Sequence, residues 1–445
     1  MKRFMVFALA MSLAMLIALP AMAIQADFSG SYRVRGWYMD QSRLDDDTGS
    51  PNAFMDMRLR LKTTFKVSDR LFVTTRIDAP GYDDKAAGGD VWGSVEPTGN
   101  NTALTPHNEG INFDRAYLTA VFDFGTFIIG RETFGRWGTR AFNIGDDFDV
   151  LKFYKRIGNL HILPCLLKWV EADQGTADAD KDIDTPFLAA WYTPEGLDAG
   201  IVTVFVQNRL NDSFKSDWYW IVPYFKYTRG PLYIEGEWDC RRGDYADFYD
   251  PTQKDIKYDG NGYYLYASYT AGPATIGVGW LYTQGDDNDT DDEMNAIPRG
   301  HDYQPLLILT GQSNDRNLGG LGNLNRYNSS NQVLDFDNDG TLDDEFYRLG
   351  SNIIFIDGKF SVTDNIVLNG VVGWATSDVH GKTNGRTWDD EYGVEADIGC
   401  TVKLMDNLTY TATVGYLWAG DLWKQGGTQD VDDTFTVVHC LQVNF

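Results

Sequence analysis

The sequence predicts an all-β fold, a transmembrane antiparallel β-barrel of 18 strands, and three observations carry that prediction. Apolar and polar residues alternate with a period of two in one segment after another. The connections between these segments alternate strictly between short turns and long polar loops. The faces opposite the apolar ones carry arginine and lysine, which a packed interior could not hold unpaired. A soluble sandwich turns its apolar faces inward, whereas here only lipid outside and water inside accommodates both faces.

The chain opens with Lys2 and Arg3, an apolar run from Phe4 to Pro20 and the small-residue end Ala21-Met22-Ala23. That is the pattern of a secretory signal peptide cut after Ala23. No other apolar run approaches the roughly 18 residues that a spanning helix needs. Residues 24–445 then form one barrel domain. Length alone would suggest two or three soluble domains, but 14% aromatic residues and 45 glycines suit strands and turns better. The formal charge is −26, or −28 without Lys2 and Arg3. No basic stripe is left to neutralise phosphates, which argues against nucleic acid as a partner. Cys165, Cys240, Cys400 and Cys440 form no C-x-x-C pair, so neither c-type haem attachment nor a zinc site is indicated. All four fall within predicted strands, where packed free thiols are favoured over a disulfide.

In chain order, FSGSYRVRGWY sets Phe28, Gly30, Tyr32, Val34, Gly36 and Tyr38 on one face and Ser29, Ser31, Arg33, Arg35 and Trp37 on the other. From Met55 to Val67 the alternation is cleaner, with Met55, Met57, Leu59, Leu61, Phe65 and Val67 against Asp56, Arg58, Arg60, Lys62, Thr64 and Lys66. The short turns are Ser68-Asp69-Arg70, Asp123-Phe124-Gly125, Ile157-Gly158-Asn159, Pro194-Glu195-Gly196, Arg229-Gly230-Pro231, Ala271-Gly272-Pro273, Thr363-Asp364-Asn365 and Met405-Asp406-Asn407. Long polar loops lie between them, near 40–53, 79–110, 133–150, 171–184, 209–215, 242–258, 284–346, 377–389 and 420–433. Eight turns and nine loops make 18 strands, with short periplasmic turns, long extracellular loops and both termini on the periplasmic side. Pro164 interrupts a strand between Val150 and Glu171, which leaves 16 strands open as an alternative. Tyr38, Trp191, Tyr192, Trp280, Tyr282, Tyr416 and Trp418 suit the aromatic girdles of such a barrel. The last segment, FTVVHCLQVNF, alternates and ends on Phe445, like the C-terminal strand read by the bacterial outer-membrane assembly machinery.

The stretch Ile111 to Tyr154, counted fifth and sixth in the barrel, carries the functional expectation. Its DRAYLTAVFDFGTFIIGRE resembles the strand-turn-strand of Gram-negative porins that precedes the third, constricting loop. The continuation FGRW…FNIGDDFDVLKF is similar to the alginate-export type of 18-strand barrel. The likeness covers about 40 residues, while the rest agrees only in strand pattern. It implies a water-filled barrel narrowed by the segment Thr133 to Val150 folded into its lumen. It also implies a place at that constriction for Arg131, whose strand parity next to Gly130 is ambiguous.

The physics of such an eyelet needs opposed charges. Asp146, Asp147 and Asp149 would ride on the inward loop, facing Arg33, Arg35, Arg58, Arg60, Lys62 and Arg76 on lumenal positions of the first strands. The plainer alternatives are a solvated charged wall and an ordinary acidic surface loop. A second signal lies in the longest loop, where Asp335, Asp337 and Asp339 alternate before Gly340, Thr341 and Leu342, as in an EF-hand calcium loop. The closing acid departs from that pattern: Phe346 stands twelfth and Glu345 one place early. Calcium is the one metal suggested, and no cofactor is required. The run Asp286 to Glu293 is a weaker candidate for divalent cations. Neither H-E-x-x-H nor G-x-S-x-G occurs, so no enzyme is indicated.

These features predict a Gram-negative outer-membrane porin surrounded by lipid, through which small hydrophilic and preferably anionic solutes diffuse passively. The alternatives are a barrel sheath for a porin-cytochrome electron conduit and a surface adhesin or receptor using the 284–346 loop. Porins of similar design are often homotrimers and alginate-type exporters are monomers, so the oligomeric state stays open.

Overall fold

The structure, a computed structural model, describes residues 25–40, 44, 52–81, 90–91, 95–97, 104–106, 110–135, 137–139, 141–142, 147–172, 181–287, 291–298, 303–311, 349–383, 386–427 and 430–445. The expected signal peptide, Asp146 and the candidate calcium ligands Asp335, Asp337, Asp339, Thr341 and Glu345 lie outside the described residues.

Alternating segments pair with their sequence neighbours wherever a short turn or a loop lets them meet, and 18 of them close into one antiparallel barrel. The first nine are β1 (Gln25–Met39), β2 (Asn52–Ser68), β3 (Leu71–Gly81), β4 (Gly110–Phe122), β5 (Gly125–Thr133), β6 (Asp147–Ile157), β7 (Leu160–Val170), β8 (Phe187–Tyr192) and β9 (Leu197–Asn208). The rest are β10 (Phe214–Arg229), β11 (Leu232–Phe248), β12 (Ile256–Ala271), β13 (Ala274–Thr283), β14 (Ser351–Thr363), β15 (Ile366–Thr376), β16 (Glu391–Met405), β17 (Leu408–Ala419) and β18 (Thr434–Asn444). β1 closes on β18 from Ser31↔Asn444 to Met39↔Thr436, which removes the sheet edge. The stretch Ile111 to Tyr154 therefore supplies the fourth to sixth strands rather than the fifth and sixth.

All eight expected short turns join neighbouring strands. Gly158, Gly196, Gly230 and Gly272 take φ between 56° and 75° in four of them, the left-handed region in which a side chain is penalised. Pro164 does not cost the barrel two strands. β6 and β7 keep one register on either side of it, Ile162↔Lys155 and Cys165↔Lys152, and only the pairing at Leu163 and Pro164 is skipped, because proline has no N–H to donate.

The outward face is apolar around the wall, with Phe28, Leu166, Ile276, Val372 and Ile398 exposed. The inward faces of β7 to β17 are covered by the chain itself. Phe134 packs between Phe187 and Trp220 at ring distances of 4.7 and 6.0 Å. Phe142 and Ile297 both lie against the same face of Gly262, and Ile297 also against Gly260. Leu306, Ile308 and Leu309 are buried in the same cluster. Each large apolar side chain so buried contributes on the order of 1.5–3 kcal/mol. The described part of the 284–346 segment, up to residue 311, thus turns into the barrel instead of standing outside it. All four cysteines are free thiols.

Candidate functional site

β1 to β4 bring the basic residues onto one lumenal surface. The register sets Arg33 beside Arg58 and Arg35 beside Asp56, Arg60 beside Asp78 and Lys62 beside Arg76, and Arg76 beside Arg115. Like charges directly opposite one another destabilise a sheet, so the surface needs acids between its rows. Arg60 grips Asp78 with two prongs, at 2.7 Å from Nε and 2.5 Å from Nη2, and its Nη2 also lies 3.6 Å from Asp114. Arg76 pairs with Asp114 and, at 2.7 Å, with Asp147. The other oxygen of Asp147 lies 2.8 Å from Arg115 Nε. Asp147 is thus shared by two guanidinium groups from adjacent strands. Lys62 is exposed. Besides the Arg35–Asp56 pair, seven basic groups, Arg33, Arg58, Arg60, Lys62, Lys66, Arg76 and Arg115, share this surface with four carboxylates, Asp27, Asp78, Asp114 and Asp147.

Arg35 differs from its neighbours. It is 3% exposed and its Nη2 lies 2.9 Å from Asp56, itself 1% exposed. Trp37 Nε1 donates to the same carboxylate at 2.8 Å, and the Arg35 guanidinium stands 4.9 Å from the Trp37 ring centre. Its guanidinium is engaged with Asp56 and buried, so Arg35 fastens β1 to β2 and presents little charge to the lumen.

Two expected members fall on the wrong face. Gly130, at φ +122°, lies opposite Tyr117, and a Cβ there would stand 2.5 Å from the Ala116 carbonyl oxygen. The alternation runs through it, with Ile129 and Arg131 outward on either side and Leu151 and Asp149 outward opposite them on β6. Arg131 Nη1 and Asp149 Oδ1 are 3.7 Å apart, with side chains 43% and 64% exposed. They lie outside the lumenal charge cluster. Asp147 does reach the lumen, but as the first residue of β6 and not as part of a loop.

Asp78, Asp114 and Arg115 were not singled out in the sequence. For the last two the reason is a β-bulge: pairing passes from Arg76↔Arg115 to Ile77↔Phe113, so two residues oppose one. Strict alternation would send Asp114 and Arg115 to opposite faces, yet both meet lumenal partners. Two adjacent charges in an otherwise alternating strand are the available sign of it.

Three further acids of the interior hold the inward segments. Glu237 on β11 accepts the N–H groups of Thr139 at 2.5 Å and Phe142 at 3.2 Å. Glu395 on β16 accepts those of Ile308 and Leu309, both at 2.6 Å, and Asp397 that of Leu307 at 3.0 Å. Arginine-paired acids face β1–β4, and on β11 the buried Asp239 pairs with Arg241, whereas Glu237, Glu395 and Asp397 beneath the inward segments accept backbone amides. Among the described residues no three His, Cys, Asp or Glu side chains converge to hold a metal ion.

No family model matches the chain, and no curated protein does. Among solved structures it is similar to OccK9 (OpdG) of Pseudomonas aeruginosa, with a TM-score of 0.53 at 13% identity over 94% of this chain and 99% of that one. It is likewise similar to OccAB1 of Acinetobacter baumannii, at 0.52 and 14% over 94% and 97%. For OccK8 (OprE) of P. aeruginosa the values are 0.50 and 11% over 94% and 98%. These likenesses lend no support to the alginate-export resemblance. What they share with this chain is architecture: it has the closed, antiparallel, 18-strand barrel fold of outer-membrane porin structures.

Proposed function

We propose that the protein is an outer-membrane porin through which small hydrophilic solutes diffuse passively, with anions such as carboxylates or uronates favoured. The observation that supports this reading is the excess of guanidinium and ammonium groups over carboxylates on the lumenal face of β1–β4. A solute passing a narrow aqueous path loses part of its hydration, and a basic wall compensates a negative one. The other side of the lumen is taken by apolar chain, so the basic surface borders the space left for passage. That same filling speaks against a sheath around a cytochrome, which would need the lumen clear. Passage of this kind calls for no catalytic residue and no cofactor.

Recordings in planar bilayers across a salt gradient test the reading. A reversal potential of anion-selective sign is expected; cation selectivity would overturn the solute preference, and absence of conductance would overturn the channel.

A further inference from the structure

The space beneath one of the inward segments has a chemistry that the basic surface alone does not account for. Leu306 and Leu307 cover β15 to β17 as far as the row Val371↔Asp397↔Gly415, where a Cβ at Gly373 would meet Leu306 and one at Gly415 would meet Leu307. From there to the periplasmic turns the lumenal face is half-exposed and neutral. It presents Asn369 on β15, Thr401 on β16 and Thr409, Thr411 and Thr413 on β17, with Leu368, Ile398 and Val414 at outward positions of the same strands. Among the described residues no lumenal carboxylate stands on this stretch of β15 to β18, and the one ammonium, Lys403, is paired with Asp406 at 3.0 Å.

Strand register joins this neutral sector to the arginines. One lumenal row runs Lys403↔Thr409↔Gln442↔Arg33↔Arg58 across β16, β17, β18, β1 and β2, straight through the closing seam. The next runs Thr401↔Thr411↔Cys440↔Arg35. Strands stand about 4.8 Å apart, so Gln442 and Thr409 lie roughly 5 and 10 Å to the side of Arg33. The side chains of Asn369, Thr401, Thr409, Thr411 and Thr413 form no hydrogen bond to any described residue. Over the buried Gly399 two of them lean toward one spot, since a Cβ there would stand 2.7 Å from Asn369 Nδ2 and 2.8 Å from Thr413 Oγ1. An amide from β15 and a hydroxyl from β17 thus flank a recess that any side chain at Gly399 would fill.

We infer, resting on the anion-favouring reading above, that this sector binds hydroxyl groups, and that the favoured solutes are hydroxylated carboxylates of the sugar-acid class. Arg33 and Arg58 take the carboxylate. Gln442, Thr409 and Thr411 exchange hydrogen bonds with the hydroxyls beside it, and the recess at Gly399 receives a hydroxyl as the solute passes beneath Leu307. Each of these neutral groups both donates and accepts, as a hydroxyl does. A solute that has shed part of its water regains hydrogen bonds here only where it carries groups to pair, so an acid of equal charge and size without hydroxyls is held less well. A merely solvated wall would not separate the two acids, because water would occupy the same positions whichever one passed.

Block of the potassium chloride current in planar bilayers by glucuronate and by cyclohexanecarboxylate, two ring monocarboxylates of similar size, tests this. The half-blocking concentration of glucuronate is expected at least about fivefold below that of cyclohexanecarboxylate. Equal or reversed values from an anion-selective channel would overturn the hydroxyl subsite alone. Cation selectivity or absence of conductance would overturn it together with the reading it rests on. Thr409→Val combined with Thr411→Val keeps shape and charge but removes two hydroxyls, and should bring the ratio below about twofold, whereas Thr409→Ser with Thr411→Ser should preserve it. Gly399→Ala fills the recess, turns Asn369 and Thr413 aside, and should lower the ratio about twofold or more. Undiminished ratios in the valine and alanine variants, with both migrating as folded barrels on unheated gels, would overturn the proposal. A serine variant as impaired as the valine one would do so too.

Discussion

The carboxylate of Glu237 on β11 receives the backbone N–H of Phe142, a residue whose segment leaves the wall six strands earlier at β5. One acid thereby determines where the chain between β5 and β6 lies, because it takes the amide of Thr139 as well. Replacing it by alanine leaves two buried donors unmet, at a cost of about 1–3 kcal/mol each. The segment should loosen, and Glu237→Ala should give a larger and noisier single-channel conductance than wild type. Identical traces would show that residues 134–142 do not obstruct the current.

Glu395→Ala should act in the same direction on the other segment, since Ile308 and Leu309 both donate to that side chain. The two acids share no hydrogen-bonding partner, so the double variant should show close to the sum of the separate conductance changes. A double variant no larger than the larger single one would mean that the segments move as one body.

Asp147→Asn removes the acid shared by Arg76 and Arg115 and leaves both guanidinium groups in place. Anion selectivity should rise, with the anion-to-cation permeability ratio increasing by about twofold. Arg58→Ala combined with Arg60→Ala should move the reversal potential the other way, the more so because Asp78 then loses its bidentate partner. Opposite signs for these two variants are the decisive result.

Arg35→Ala should affect stability far more than selectivity. It strands Asp56, almost fully buried and held by Arg35 and Trp37, and breaking a buried pair in this way costs about 3–5 kcal/mol. Denaturant unfolding should shift to lower concentration, and Arg35→Met with Asp56→Leu should recover most of the loss. A selectivity change as large as that of the Arg58 and Arg60 variant would return Arg35 to the solute path.

The wall was largely legible in the sequence because its two constraints are local. Alternation with a period of two assigns each side chain to lipid or lumen, and turn residues such as Gly158 and Gly272 mark where a strand must reverse. What was not legible breaks the period or reaches across the lumen. The bulge at Asp114-Arg115 delivers two neighbours to one face, and the parity around Gly130 settles only once β6 pairs with β5, which carries Arg131 and Asp149 outward. Glu237, Glu395 and Asp397 look like ordinary lumenal acids until their partners are seen to be amides from distant segments.

The inward packing of Phe134, Phe142, Leu306 and Ile308 bears on how such a molecule is assembled. The seam between β1 and β18 joins the two ends of the wall, so its pairing closes the longest stretch of sequence in the sheet and is entropically the most costly to bring together. A half-finished sheet with these side chains undocked would offer a second greasy surface beside the one meant for lipid. Docked early, they give the curling sheet a former of the right girth. The closed barrel fits around a mandrel that its own chain supplies.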